Sequence, residues 1–478
     1  MKILFNDKKE PNLSKGVVLV RFGEGDMTEV ERGADGRKSI VIGLGKKRAE
    51  VDVRKLHSLA RQIIATARAH KIKEIAIDRD AFAFVRVRLS DAELGELLAS
   101  NFEMADFEFI AYKSRPKDGW NFMETITITG KANAAFKKGI ERGQLIGREV
   151  NLVRDLANTP GGDMTPEKLA QAAREAVKGT RASTKVLDVE AMEKLGMGAV
   201  LGVAAGSADA PCFIIVEYWG AGPAPRKATQ GNQNNRPIVL VGKGVTFDTG
   251  GLNLKSSEAM YEMHMDMSGG AAVIHIVALA ARLGLKKNII GLVPAVENMP
   301  SGSSYHPGDV LRSMSGKTIE ILNTDAEGRV ILADALFYAG KMYNPKLVVD
   351  VATLTGAAMV ALGNKASAIF TKDTKLENDV RRLGEASGDY VWPLPLWDEY
   401  EADIKGTFGD WANMGKTRYG GAISGAKFLE QFTKDYPKET KWLHVDIAPR
   451  MTSYEGEYLA KGAVGTPVRL LLKLLEQK

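Results

Sequence analysis

The sequence lacks most features that would assign the protein to a secreted or membrane class. It has one cysteine, Cys212, so no intrachain disulfide can form and nothing indicates an oxidising compartment. No run approaches the roughly 20 uninterrupted apolar residues that cross a bilayer, and the longest candidate, residues 271–283, has the length of a core helix. The apolar start at residues 1–5 is too short for a signal peptide and is followed at once by charged residues. We expect a soluble, cytoplasmic protein.

An excess of one charge is also missing. The 478 residues include 65 Lys plus Arg and 59 Asp plus Glu, a formal net charge of +6. Such a small excess attracts polyanions weakly, and no stripe dense in Lys and Arg indicates a nucleic-acid surface. Ordinary solvated surface is the preferred interpretation, and binding of DNA or another polyanion stays open as an alternative.

What is present is an alternation of strand-like and helix-like segments. In the first part of the chain the patterns predict strands at residues 17–22, 39–44 and 74–78 and helices at 51–70 and 91–100. Strands that alternate with helices are typical of a mostly parallel sheet covered by helices. We therefore predict a small α/β domain here.

A long helix is predicted next, because apolar residues recur at helical spacing through residues 134–156. A second helix should begin after Thr165, with Pro166 at its first position. Between them lies a turn-forming stretch, residues 158–162. We place the domain boundary there.

The second part of the chain alternates in the same way. Its strands are continuous apolar runs, the pattern of strands covered on both faces, whereas residues 224–236 are polar and predicted to form an exposed loop. The predicted class is therefore α/β: a smaller N-terminal α/β domain with a connecting helix, residues 1–157, and a larger C-terminal α/β domain with a mixed, mostly parallel sheet, residues 158–478. The predicted strands of the second domain are residues 185–188, 212–217, 237–241, 288–296, 318–322, 346–353 and 442–446.

Two polar clusters follow strands of the second domain. Residues 243–251 read Lys-Gly-Val-Thr-Phe-Asp-Thr-Gly-Gly, and residues 323–329 read Asn-Thr-Asp-Ala-Glu-Gly-Arg; Lys255 and Asp266 lie between them. Ligands of open α/β sheets bind at the carboxyl ends of the strands, so we expect both clusters in one crevice. If residues 325–329 are extended, the period of two places two acids and Arg329 on one side of the chain.

Four carboxylates in one crevice would repel one another unless a positive charge neutralised them. Two divalent cations would supply that charge, and oxygen ligands with one nitrogen suit Zn²⁺, Mn²⁺ or Mg²⁺. Lys243 is the unusual member, since an amine binds a metal only when neutral. Lowering its pKa from about 10.4 to below about 7 costs roughly 4 to 5 kcal/mol, and spacing alone would make it a charge-balancing ammonium. The four acids are Asp248, Asp266, Asp325 and Glu327.

These motifs resemble the leucine aminopeptidase (cytosol aminopeptidase) family of two-metal exopeptidases. Residues 323–329 match the signature heptapeptide of that family at every position, and the resemblance covers essentially the whole second domain. His264, Met265, the pair Gly161-Gly162 and the stretch 230–235 depart from the family pattern. Further matching stretches are residues 241–248, Lys255, Met263 with Asp266, 352–356, 392–397 and 444–448.

The resemblance implies a role for each matching residue. Asp248 and Glu327 would bridge two metals, Lys243 and Asp266 would complete the tighter site, and Asp325 the more exchangeable one. Lys255 would stabilise the oxyanion, and Arg329 would hold a bicarbonate that acts as general base. The pocket for the N-terminal side chain of the substrate would be lined by Met263, Thr353, Gly356, Ala448 and Met451.

The function implied is metal-dependent release of N-terminal residues, preferentially Leu, from peptides by a catalytic domain at residues 158–478. The family resemblance also implies a homohexamer. A related two-metal hydrolase with narrower substrates, such as dipeptides of Cys and Gly, stays open as an alternative.

Overall fold

The computed structural model describes residues 1–8, 16–33, 36–222 and 236–477. Apart from Arg236, the predicted loop at 224–236 lies outside these residues, and so does the atypical stretch 230–235. The chain forms two compact units, Met1–Asn151 with Ser453–Gly462, and Leu152–Thr452 with Ala463–Lys478. The division falls within one long helix, and residues 453–462 return to the first unit.

The first unit is built on a six-stranded sheet of order β1-β6-β5-β2-β4-β3. Neighbouring strands are parallel except for β3, which pairs antiparallel with β4. Asp52 caps the first helix by accepting from Lys55 N, and Ser90 and Glu93 form a capping box on the second. The elements are β1 (Lys2–Asn6), β2 (Val18–Gly23), β3 (Glu29–Arg32), β4 (Lys38–Gly43), α1 (Val53–Ala69), β5 (Glu74–Asp78), α2 (Asp91–Asp106), β6 (Thr125–Thr129) and α3 (Ala134–Asn158).

The second unit contains a nine-stranded sheet, whose main path runs β16-β15-β18-β14-β9-β11-β8-β7 while β10 pairs with β11. A three-stranded sheet of order β12-β13-β17 accompanies it. The strands are β7 (Ser183–Leu187), β8 (Cys212–Trp219), β9 (Ile238–Gly242), β10 (Gly244–Asp248), β11 (Asn288–Asn298), β12 (Val310–Arg312), β13 (Thr318–Glu320), β14 (Leu347–Ala352), β15 (Ser367–Phe370), β16 (Val391–Pro393), β17 (Trp411–Ala412) and β18 (Lys441–Asp446).

The central strands of this sheet are parallel and carry the site at one edge. The pairs β14 with β18, β14 with β9, β9 with β11 and β10 with β11 are all parallel, and every residue of β9 and β14 is buried. Their carboxyl ends therefore meet at the same edge of the sheet. The helices of the unit are α4 (Pro166–Ala176), α5 (Val189–Leu195), α6 (Gly198–Ala204), α7 (Ser257–Met260), α8 (Ser268–Arg282), α9 (Glu327–Tyr343), α10 (Gly356–Leu362), α11 (Thr374–Ser387), α12 (Gly421–Glu430) and α13 (Val468–Glu476).

The helix α9 is fixed to the rest of the second unit by one buried acid. Asp334 has no exposed surface (0%), and its two carboxylate oxygens accept from the backbone amides of Ala199, Val200 and Met314 at 3.0, 3.0 and 2.7 Å. Two of these amides belong to the first turn of α6, where backbone N–H groups otherwise lack partners. The same contacts hold the start of α9, and with it the second polar cluster, in place.

The predicted α/β class with a mixed, mostly parallel sheet is confirmed, and Thr165 caps a helix with Pro166 at its start as predicted. The expectation that residues 325–329 are extended is wrong. A 3-10 turn at Thr324–Ala326 leads directly into α9 at Glu327, because the Asn323 side chain bonds Asp325 N and closes the turn. The acids therefore converge through a turn and a helix start.

One segment, Ser257–Arg282, has the length and composition of a membrane span. It is 89% buried inside the protein over its most apolar window. It includes α8, which packs on the large sheet as a core helix.

Candidate active site

Lys243 occupies the junction between β9 and β10 and is held by backbone contacts on both sides. Its N–H donates to Val351 O at 3.0 Å, and its carbonyl oxygen accepts from Gly270 N at 2.8 Å. The residue is only 3% exposed. Because its backbone is fixed between β14 and α8, the amine is directed into the crevice at the edge of the sheet.

The amine of Lys243 contacts two acids. Its Nζ lies 2.7 Å from Asp266 Oδ2 and 2.8 Å from Glu327 Oε1, and it donates to Thr353 O at 3.1 Å. Asp266 follows a 3-10 turn at Met263–Met265, and Glu327 opens α9, where the positive end of the helix dipole favours a carboxylate. Both acids are nearly inaccessible to solvent.

The amine of Lys255 contacts the other two acids. Its Nζ lies 2.9 Å from Asp248 Oδ2 and 2.5 Å from Asp325 Oδ1. Asp248 ends β10 and is buried, whereas the side chain of Asp325 is 34% exposed. The structure thus brings together all six predicted acids and amines, as two groups of one lysine and two carboxylates.

Three glycines allow this close approach. Gly250 and Gly251 follow Asp248 with φ of 86° and 63°, in the left-handed region that disfavours other residues. At Gly328 an added Cβ would lie 2.5 Å from Lys243 Cε and 2.7 Å from its Nζ. A side chain there would push against the amine.

The charges in the crevice are not balanced. Two lysines face four carboxylates, and burial raises the pKa of Glu327 to about 8 and that of Asp266 to about 6, with Asp248 adding to both shifts. Burial opposes a charged Lys243, but the carboxylates of Asp266, Glu327 and Asp248 outweigh it and raise the pKa of the amine. The crevice therefore holds two ammonium groups and still has an excess of negative charge.

The acidic groups fit divalent cations. One oxygen each from Asp248, Asp325 and Glu327 lie within 4.8 Å of one another. Glu327 Oε2 is buried, and among residues 1–8, 16–33, 36–222 and 236–477 it meets no hydrogen-bond partner. A buried carboxylate oxygen without a donor is costly, and hard oxygen ligands are those that Mn²⁺, Mg²⁺ and Zn²⁺ accept. Asp266 is linked to Glu327 of this group, because both carboxylates contact the Lys243 amine.

Arg329 lies in the first turn of α9 and is buried, at 6% exposure. Its Nη1 donates to Asn413 O at 3.0 Å, while its buried Nε has no hydrogen-bond partner in the described part of the chain. Burial lowers the pKa of the guanidinium to about 10, although Glu327 and Asp446 oppose the shift. It remains a cation at neutral pH with a donor available for an anion.

The five predicted pocket residues lie on three segments. Met263 belongs to the turn that precedes Asp266, Thr353 and Gly356 lie between β14 and the start of α10, and Ala448 and Met451 belong to the turn that follows β18. This last turn packs against α10, and space around the position of a Gly356 Cβ is open to 4 Å. Thr353 differs from the expectation in one respect, since its hydroxyl donates to Asp266 Oδ1 at 2.7 Å.

Several contacts of the acids come from residues that the sequence patterns do not single out. Asn298 donates to Asp248 Oδ1 at 2.8 Å, and the Tyr305 hydroxyl donates to Thr324 O at 2.8 Å. Asn298 ends a buried strand at the same edge of the sheet, which is the signal that places it near the crevice. Nothing in the local sequence indicates that its amide reaches Asp248.

Comparison with known proteins identifies the family of the chain. The catalytic domain of the cytosol aminopeptidase family matches residues 151–472. The chain belongs to the cytosol aminopeptidase family. Its class of activity follows from the family, hydrolysis of peptides from the N-terminus, so the protein is an aminopeptidase.

Curated relatives resemble the chain over most of its length. The "Probable cytosol aminopeptidase" of Azoarcus sp. (strain BH72) is 42% identical over 484 residues, which cover 97% of this chain and 91% of the relative. A protein of the same name from Syntrophotalea carbinolica is 39% identical over 461 residues, covering 95% of this chain and 89% of the relative. The similarity therefore includes both units.

Solved structures of the bottromycin maturation enzyme BotP share the fold. One is 29% identical with a TM-score of 0.82 and covers 96% of this chain and 98% of BotP. A second, solved in complex with Mn, is 28% identical with a TM-score of 0.83 and covers 96% and 99%.

The geometry around Gly328 gives a first prediction. Gly328→Ala places a methyl group against the Lys243 amine, so we expect the activity to fall about 10- to 100-fold, the scale expected for a small displacement of a group in an active site. Gly302→Ala is the control, since nothing lies within 4 Å of a Cβ there. Hydrolysis of leucine p-nitroanilide measures both. Equal activity of the two variants would contradict the close packing of Gly328 on Lys243.

Proposed function

We propose that this aminopeptidase is metal-dependent and prefers Leu-like N-terminal residues, and that the crevice binds two divalent cations per subunit. Zn²⁺ or Mn²⁺ are the expected ions, with Mg²⁺ as a further candidate. The observation that carries the proposal is the pair of lysines facing four convergent carboxylates. Such a cluster leaves an excess of negative charge that attracts divalent cations.

The ligands divide according to the two groups of contacts. Asp248 and Glu327 would bridge the cations, Lys243 and Asp266 would complete one site, and Asp325 the other. Asp325 is the partly exposed member, which suits the more exchangeable ion. Lys243 must be neutral to act as a ligand, so cation binding competes with its proton.

Bound cations would supply Lewis acidity that polarises the scissile carbonyl and lowers the pKa of the attacking water. Lys255 would stabilise the oxyanion that develops on this carbonyl. The carboxylates of Asp248 and Glu327 raise the pKa of Lys255 above its ordinary value despite burial, so it carries the positive charge that this role requires. A fixed donor of this kind is worth about 3 to 4 kcal/mol in other oxyanion sites.

Arg329 would hold a bicarbonate, which would supply a general base for the attacking water. The unpartnered Nε of its buried guanidinium supports this role, since a planar anion can accept from a guanidinium. The substrate side chain would lie in a pocket formed by Met263, Thr353, Gly356, Ala448 and Met451. Flexible Met side chains fit Leu and Met and discriminate modestly among apolar residues.

The proposed setting is a cytoplasmic homohexamer that acts on peptides with a free N-terminus, with residues 158–478 as the catalytic domain. Removal of cations with a chelator followed by addition of Zn²⁺ or Mn²⁺ tests the function. Leucine p-nitroanilide cleavage should disappear and then return. No recovery with either ion would refute metal dependence.

Two substitutions should separate cation binding from carbonyl activation. Glu327→Ala removes the buried carboxylate that contacts Lys243, so both cation content and turnover should fall to near zero. Lys255→Ala should keep its cations and lose about 10²- to 10³-fold in kcat, the range for loss of one oxyanion donor. Metal analysis and steady-state kinetics measure the two effects, with the exposed Lys286 changed to Ala as control. Full cation occupancy in Glu327→Ala would overturn its assignment.

Loss of the Arg329 guanidinium should affect the bicarbonate that acts as general base and leave the cations in place. We expect Arg329→Ala to lower kcat without changing the metal content, and the dependence of rate on added bicarbonate to vanish with it. Rates measured in bicarbonate-free buffer and after bicarbonate addition test this. A variant that still responds to bicarbonate as the wild type does would show that Arg329 does not hold the anion.

A further inference from the structure

The side chain of Asn298 joins the two polar clusters of the active site. Asn298 is the last residue of β11 and is fully buried, at 0% exposure. Its Nδ2 lies 2.8 Å from Asp248 Oδ1 and 2.9 Å from Thr324 O. One amide group therefore donates both to a carboxylate of the first cluster and to the backbone turn that carries Asp325 and leads to Glu327.

The orientation of this amide follows from its partners. A carboxylate and a carbonyl oxygen are both acceptors, so the NH₂ end of Asn298 must face them. Its Oδ1 is buried and meets no hydrogen-bond partner among the residues that the structure describes. A buried acceptor without a donor lowers stability, so the two donated bonds, rather than packing, account for an amide at this position.

Backbone contacts fix Asn298 itself. Its carbonyl oxygen accepts from Thr249 N at 3.0 Å and from Thr249 Oγ1 at 2.7 Å, directly after Asp248 in the chain. Gly251 lies against its side chain, since an added Cβ there would come within 2.9 Å of Asn298 Oδ1. These contacts hold the amide in position independently of its hydrogen bond to Asp248.

Other side chains tie the same two loops together. The Thr324 hydroxyl donates to Gly250 O at 2.6 Å, and Tyr305 supplies a second donor to Thr324 O at 2.8 Å. Of these ties, the one from Asn298 reaches a carboxylate oxygen. Tyr305 offers a natural comparison, because it holds the same turn without contacting Asp248 in any described hydrogen bond.

We propose that Asn298 is a positioning residue of the cation site, which sets the orientation of Asp248 and its separation from Asp325 and Glu327. The inference rests on the proposed function, since it assigns these acids to cations. A neutral donor suits this role because, together with Gly250 N, which donates to the same oxygen at 2.9 Å, it holds Oδ1 of Asp248 and adds no positive charge that would compete with a cation. The other carboxylate oxygen of Asp248, Oδ2, faces the Lys255 amine and is directed into the crevice.

The test is the affinity of the chelator-treated full-length protein for Mn²⁺, measured by isothermal titration calorimetry. Asn298→Leu keeps the approximate size of the side chain and removes the donor without adding charge to the crevice. We expect its Mn²⁺ affinity to fall by about 10- to 100-fold, the usual effect of losing a residue that orients a ligand. Asn288→Leu is the matched control, since it removes an amide that accepts from Ala221 N at the other end of β11.

A second pair of variants separates positioning from general stability. Tyr305→Phe removes one of the two side-chain donors to Thr324 O and none to Asp248, so its loss of Mn²⁺ affinity should be smaller than that of Asn298→Leu. If Asn298→Leu does not fold, the smaller Asn298→Ala, which also lacks the donor, carries the test and should bind Mn²⁺ less tightly. Thermal unfolding in chelator reports the stability of each cation-free protein.

The possible results distinguish a failure of this inference from a failure of the proposed function on which it rests. A wild type that binds no Mn²⁺ would refute the proposed cation site itself. Wild-type affinity in folded Asn298→Leu or Asn298→Ala, or a lower melting temperature with unchanged affinity, would reduce Asn298 to a structural residue and overturn the inference. Weaker Mn²⁺ binding with an unchanged melting temperature in chelator supports it.

Discussion

The excess of negative charge in a nearly closed crevice is the constraint on which the site depends. Lys243 and Lys255 each contact two acids, and two of the four negative charges stay unbalanced. Burial weakens the solvation that would otherwise stabilise these charges, which is why the pKa of Glu327 rises to about 8. In the absence of cations the crevice therefore favours a proton on Glu327. Cations are the alternative that leaves every carboxylate ionised.

The sheet provides the rigidity that such a site needs. Lys243 is fixed between β9, β14 and α8, and these elements approach so closely that a Cβ on Gly242 would lie 2.5 Å from Gly269 O and one on Gly269 would lie 2.2 Å from Val351 O. No side chain larger than hydrogen fits at either position. The amine therefore projects from a backbone that cannot shift sideways, and Asp334 fixes the helix bearing Glu327 in a comparable way.

The sequence contains enough to predict that the first cluster lies at the carboxyl end of the central strands, because it directly follows the buried apolar strand β9. The second cluster follows β13, which belongs to the separate three-stranded sheet, so its arrival in the same crevice depends on packing between elements. What the sequence patterns do not predict is the local conformation of the clusters. The period of two predicts an extended segment at residues 325–329, but the Asn323 side chain closes a turn and the helix begins at Glu327. The short strand β10 lies inside the first cluster, where its polar residues conceal it. Residues 453–462 join the first unit through long-range packing, which leaves no local pattern.

The contacts that orient the acids are the least predictable part. Asn298 follows Asp248 by 50 residues and Thr353 follows Asp266 by 87 residues, so neither pair forms a motif. Both donors are neutral, so they leave the charge of the crevice unchanged. A third lysine or arginine at either position would hold the carboxylate equally well, but it would neutralise the charge that attracts a cation. The amide of Asn298 and the hydroxyl of Thr353 hold the carboxylate oxygens of Asp248 and Asp266 and leave the excess of negative charge unchanged.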